Sequence, residues 1–89
     1  MKQYMVIEHF APGCKARIYE RFHRQGRMLP EGLAYVNSWL ETEGDRCFQL
    51  METNGPSLFR VWSEHWKDLV TIEVIELGEK PAGAAQSES

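Results

Sequence analysis

Two carboxylates, Glu8 and Glu73, and two amides, Asn37 and Gln49, are the side chains of this sequence best suited to acid–base work. Glu8 lies in the run YMVIEHF and Glu73 in LVTIEV, both of which alternate as strands do. Two carboxylates brought together in a dry space repel, so one keeps its proton towards neutral pH. Such a pair could move a proton on a carbonyl-containing ligand. Asn37 and Gln49 could then hold the carbonyl or an oxyanion. The competing reading is that these four groups satisfy one another, or trapped water, across an interface.

Other residues could shape a binding surface around them. Tyr35, Trp39 and Met51 offer a planar ligand something to stack on. Arg46 and Arg27 are the notable cations: Arg46 could hold an anionic ligand bidentately at a cavity mouth, or pair on the surface with Glu41, Glu43 or Asp45. Arg21 and Arg24 read as a solvated helix face. His9, His23 and His65 have no metal-ligand spacing to each other or to Cys14 and Cys47, so no metal or cofactor is expected. The two cysteines form no CxxC and read as reduced thiols of a cytoplasmic protein. No glycine-rich phosphate loop and no GxSxG elbow is present in the sequence.

Eighty-nine residues make one core, and a net charge of −3 does not suit nonspecific nucleic-acid binding. No apolar run approaches the roughly 20 residues that span a bilayer, and no leader pattern precedes the first strand. The chain is organised around LAYVNSWLETEGDRCFQLMET, residues 33–53. Its two alternating runs are joined by a Gly-Asp break, which predicts a β-hairpin. A strand over 3–10 and a helix from Cys14 to about Met28 come before it. After it come a helix carrying Leu58, Phe59, Trp62, Trp66 and Leu69, and a last strand over 70–77.

The order βαββαβ predicts an α+β, ferredoxin-like fold. Its four-stranded antiparallel sheet has spatial order 4-1-3-2, with both helices on one face. The domain is expected over 1–77, with a disordered tail over 78–89. Alternation assigns Met5, Ile7, His9, Val36, Leu40, Phe48, Leu50, Val70, Ile72 and Val74 to the helix side. It assigns Val6, Glu8, Phe10, Tyr35, Asn37, Trp39, Cys47, Gln49, Met51, Thr71, Glu73 and Ile75 to the open side. Within the hairpin, Tyr35 should face Met51, Asn37 should face Gln49 and Trp39 should face Cys47. An open face so apolar predicts a two-fold, sheet-against-sheet homodimer, with a polar row of Glu73, Glu8, Gln49 and Asn37 inside it.

The segments YMVIEHF, RFHRQGRMLPEGL, YVNSW…DRCFQLMET and LVTIEV resemble a family of small bacterial domains of unknown function. That family is grouped with the ferredoxin-like dimeric α/β-barrel proteins, and the likeness covers about residues 3–77. It implies the fold and a face-to-face dimer, and no established reaction. The wider superfamily includes small isomerases, heme-degrading and cofactor-free monooxygenases, and stress-linked proteins. The sequence therefore supports a homodimer that binds a small organic molecule between its sheets. Tyr35, Asn37, Trp39, Arg46, Gln49 and Met51 would contact the ligand, and Glu8 and Glu73 are the candidate acid–base groups. The alternatives are a small cofactor-free isomerase or monooxygenase using those two glutamates, or a plain assembly module.

Overall fold

The computed structural model describes residues 1–79. Its elements run β1 (Lys2–Phe10), α1 (Lys15–Gln25), β2 (Leu33–Leu40), β3 (Arg46–Thr53), α2 (Leu58–Ser63) and β4 (Val70–Glu76). The sheet is antiparallel in the order β2-β3-β1-β4. Each helix thus links two strands that have one other strand between them, which is the ferredoxin-like α+β arrangement. No helix is long and apolar enough to cross a membrane among these residues. Most of the expected tail, residues 80–89, lies outside the described residues.

Both helices cover one face, and the core beneath them is aromatic. Tyr4, Val6, Phe10, Ile18, Met51, Phe59, Trp62, Trp66 and Leu69 are buried together. Trp62, Met51, Leu69 and Val6 are the largest fully buried apolar side chains. Each contributes roughly 1.5–3 kcal/mol on removal from water, Trp62 at the upper end by its area. Helix α2 is short because it tightens after Ser63. Trp66 N–H bonds the Ser63 carbonyl and Leu69 N–H bonds the Trp66 carbonyl, both three residues back. That turn carries Trp66 and Leu69 down onto the sheet beside Trp62. A bidentate ion pair closes the same corner: Arg21 of α1 meets Asp68 at 2.8 and 2.7 Å and also donates to the His65 carbonyl at 2.8 Å. Arg21 is therefore a tie between α1 and the segment after α2, and not only a solvated face.

The element order, topology and helix coverage follow the sequence reading, and so does β4, whose Val70, Ile72 and Val74 lie on the helix side, but the faces of β1 and β3 are reversed. On β1 the covered side chains are Tyr4, Val6, Glu8 and Phe10, and Met5, Ile7 and His9 face the open side. On β3 the covered side chains are Cys47, Gln49, Met51 and Thr53, and Phe48 and Leu50 face the open side. The reason is packing volume. Both parities of β1 and β3 are apolar, and the larger gain comes from seating Tyr4, Phe10 and Met51 against Phe59, Trp62 and Trp66. Tyr4 and Phe59 meet edge to face at 5.2 Å between ring centres.

The hairpin register is also broken once. Tyr35 opposes Met51 as expected, but Asn37 opposes Leu50, Ser38 opposes Gln49 and Trp39 opposes Phe48. Val36 is an extra residue on β2, a β-bulge that reverses the side-chain phase of everything after it. Past the bulge Ser38 and Leu40 point to the covered side, and Trp39 to the open side.

Candidate functional site

Cross-strand pairing aligns Leu40, Cys47, Glu8 and Ile72 in one row across the covered face, and Ser38, Gln49, Val6 and Val74 in the next. Three members of these rows, Glu8, Gln49 and Ser38, are polar where a packed core would place hydrocarbon. They are tolerated because the helices do not close over them. A cavity of about 230 Å³ opens there, walled by Phe10, Ile18, Phe22, Trp62, Trp66 and Val70. Its polar groups are Glu8, Gln49, Arg27, Cys47, Ser38 and Tyr19.

Arg27 is the centre of this arrangement. It follows Gly26 (φ 68°) and precedes Met28 (φ 59°), so the backbone turns through the left-handed region on both sides of it. Glycine takes that conformation freely, while Met28 costs roughly 1–2 kcal/mol there. The turn delivers the Arg27 carbonyl to two indoles: Trp62 Nε1 donates to it at 2.8 Å and Trp66 Nε1 at 3.1 Å. The Arg27 guanidinium lies 3.5 Å from the Tyr35 ring centre and 5.1 Å from that of Phe22. Its Nε donates to Gln49 Oε1 at 3.4 Å, a long bond. Main chain and side chain of Arg27 are thus both held, and the cation is stacked rather than ion-paired.

The titrating groups respond to this enclosure. Burial pushes the Glu8 carboxyl up, against the opposing pull of the Gln49 amide, the Arg27 charge and the Cys47 thiol. Burial also pushes the Cys47 thiol up to about 11, helped by the negative charge of Glu8. Tyr19 is raised as well, first by burial and then by Cys47 and Glu8. A carboxyl that holds its proton more readily, beside a fixed guanidinium and against aromatic walls, can exchange a proton with a bound carbonyl or hydroxyl group.

The residues singled out from sequence separate into three places. Glu8 and Gln49 line the cavity, and Tyr35 lies just behind it under Arg27. Met51 is fully buried and does not line the cavity. Asn37, Trp39, Arg46 and Glu73 are on the opposite face. Asn37 caps its own bulge through Ser38 N–H at 2.8 Å, and Trp39 is half exposed. Arg46 is paired bidentately with Glu41 at 2.9 and 3.0 Å, the surface alternative foreseen for it. Glu73 sits opposite Ile7 and its Oε1 lies 3.4 Å from His9 Nε2. Glu8 is opposite Ile72, so Glu8 and Glu73 form no carboxylate pair. The polar row expected between two sheets is split across the sheet. His9, placed on the helix side by alternation, is on the open face with Glu73.

A comparison with protein families matches residues 2–77 to a domain of unknown function, DUF3303. The chain belongs to the DUF3303 family. Comparisons with curated proteins and with solved structures find no match. Nothing in the linear sequence of this DUF3303 domain marks the cavity between sheet and helices, although the residues that line it are conspicuous. Trp62 and Trp66 read as packing residues and do pack, but their indole N–H groups also serve the Arg27 loop. The sequence reading puts Arg27 near the end of a helix running to about Met28, but α1 ends at Gln25, and nothing in the linear sequence says that Gly26 and Met28 turn Arg27 inward. No group of three or more His, Cys, Asp or Glu side chains able to hold a metal ion occurs among the described residues.

Proposed function

We propose that this DUF3303 domain binds a small organic molecule in the cavity between its sheet and its helices. The observation that carries this reading is the pairing of a raised carboxyl, Glu8, with a stacked guanidinium, Arg27, in a hole that is otherwise aromatic and aliphatic. A stability-driven core would have filled that space with hydrocarbon. The volume sets the scale of the ligand. A cavity of about 150 Å³ accepts benzene, so 230 Å³ suits one ring, or a branched chain of similar bulk, with one polar substituent. The catalytic version of this reading uses Glu8 alone as the proton carrier, on a substrate whose carbonyl or hydroxyl reaches it.

The working unit we propose is a homodimer formed through the uncovered face. Trp39, Phe48 and Ile7 form one cross-strand row there, and Leu50, Met5 and Ile75 the next. Trp39 is 50% and Ile75 42% exposed. A second copy is the economical cover, because a two-fold axis sets the same two apolar rows against each other. The two unpaired thiols fit a reducing, cytoplasmic setting.

The test is a thermal-shift screen of small aromatic and aliphatic compounds on the wild type and on three variants. Leu40→Trp at the cavity rim should abolish the shifts, and Glu8→Gln, which alters a lining group, should change their size. Trp39→Ala, on the other face, should leave them unchanged. Shifts that survive Leu40→Trp and vanish in Trp39→Ala would place the ligand between the sheets and overturn this assignment.

A further inference from the structure

The charge state of the ligand can be read from what Arg27 lacks. Arg21 and Arg46 are each bonded to a carboxylate through two nitrogens. Arg27 makes no ion pair among the described residues, and its terminal nitrogens make no hydrogen bond there; only Nε is used, in the long bond to Gln49. The other cations without an ion pair among the described residues, Lys15, Arg17, Arg24 and Arg60, are exposed to water, which solvates them. Arg27 is half-buried, with Tyr35 and Phe22 stacked against it and two indoles locking its carbonyl. An immobilised guanidinium with two free N–H edges, bordering a cavity, is prepared for a planar two-oxygen acceptor.

We propose that the ligand of this cavity is a small monocarboxylate with an aromatic or branched aliphatic body, and that the terminal nitrogens of Arg27 hold its carboxylate. The inference rests on the cavity being a binding site, as argued above, and adds the ligand class. The body packs against Phe10, Ile18, Phe22, Trp62 and Trp66. The titratable and charged groups facing the bound carboxylate are Glu8, Cys47, Tyr19 and Arg27. Glu8 is the group that must answer an incoming negative charge. A second carboxylate in the same enclosure favours the protonated form of Glu8 further, so binding draws a proton from solution. Cys47 and Tyr19 stay neutral throughout, because both are already pushed up by burial.

Isothermal titration calorimetry on the full chain separates the two claims. The probes are benzoate and phenylacetate, each against its neutral isostere, benzamide and phenylacetamide. In the wild type each acid should bind roughly ten- to a hundredfold more tightly than its amide, the scale of hydrogen bonds to a charged group. Titrations in two buffers of different ionisation enthalpy should show proton uptake with the acids and none with the amides. Arg27→Gln should remove the acid preference, and Arg27→Lys, which keeps the charge but not the fork, should restore part of it. Amides binding as well as acids would leave the cavity a binding site and overturn the carboxylate class. Acid preference persisting in Arg27→Gln would overturn the role of Arg27. If all four probes fail to bind at millimolar concentration, both the class and the site fall. Should Arg27→Gln melt before it can be titrated, the acid-against-amide comparison and the buffer pair on the wild type still decide.

Discussion

Glu8 of β1 and Cys47 of β3 are directly opposed cross-strand partners on the covered face of the sheet. Burial first, and then the charge of Glu8, hold the Cys47 thiol near 11. At pH 8.5 iodoacetamide should therefore alkylate Cys47 roughly ten- to a hundredfold more slowly than it does free cysteine, in proportion to the thiolate present. Glu8→Gln should speed that reaction, because it deletes the neighbouring negative charge. Peptide mass mapping, which separates Cys47 from Cys14, is the measurement. Free-thiol rates at Cys47 would show that the thiol is not enclosed.

Glu8 also sets a sign on stability against pH. Its folded-state pKa is raised, so between the unfolded value near 4.5 and the folded value the native chain binds more protons than the unfolded one. Stability from this group is then fully present below the unfolded value and falls as pH rises through the folded one. Glu8→Gln should flatten that decline and melt higher than wild type at pH 7–8. Urea titrations at pH 4.5, 6 and 8 would show it, and a variant less stable at pH 8 would contradict it.

Asp68 has the opposite sign. Arg21 holds its carboxyl down to about 2, below the usual value of 3.8. The stability it contributes is present above the unfolded value and is lost as pH falls from there towards 2. Asp68→Asn should be less stable than wild type at pH 5, and the gap should close as the pH approaches 2. Circular dichroism melts across that interval are sufficient to see the convergence. Because the pair is exposed and screened by salt, the gap should also narrow in 1 M sodium chloride.

Truncating Met51 distinguishes packing from ligand contact. Met51→Ala removes a fully buried side chain and should cost roughly 2–5 kcal/mol. Since Met51 does not border the cavity, ligand affinity of the folded fraction should change less than twofold. A specific loss of binding at unchanged stability would return Met51 to the binding surface.

The dimer is tested on the other face. Leu50→Glu together with Trp39→Glu places charge in both central rows without touching the covered core. Each buried apolar side chain is worth roughly 1.5–3 kcal/mol, so the pair should weaken association by a hundredfold or more. Sedimentation velocity should then show the monomer mass with an unchanged circular dichroism spectrum. A wild type that sediments as a monomer at high micromolar concentration would remove the homodimer.

The element order and sheet topology were legible because the hairpin over 33–53, the three- and four-residue spacing of Leu58, Phe59, Trp62, Trp66 and Leu69, and the Val70–Glu76 alternation each carry a local signal. The faces of β1 and β3 and the pairing within the hairpin were not, for two physical reasons. β1 offers Tyr4, Val6 and Phe10 on one parity and Met5 and Ile7 on the other, so alternation alone cannot choose. The rule that polar residues face outward then chose wrongly, since Glu8 and Gln49 are inside as the lining of a hole. The Val36 bulge leaves no mark in a run as regular as LAYVNSWL. It moves Asn37 and Trp39 away from Gln49 and Cys47 by a single residue. Arg27 was visible as a residue and invisible as a site, because its inward course depends on Met28 adopting a conformation that its side chain disfavours.

The three tryptophans divide between the two surfaces, two at the cavity and one on the bare side of the sheet. Their emission is therefore a built-in optical reporter with separable channels. Occupancy should perturb the blue-shifted signal of Trp62 and Trp66, and self-association should shift the red-edge signal of Trp39. A Trp39→Phe chain becomes a label-free sensor for whatever enters beneath the helices.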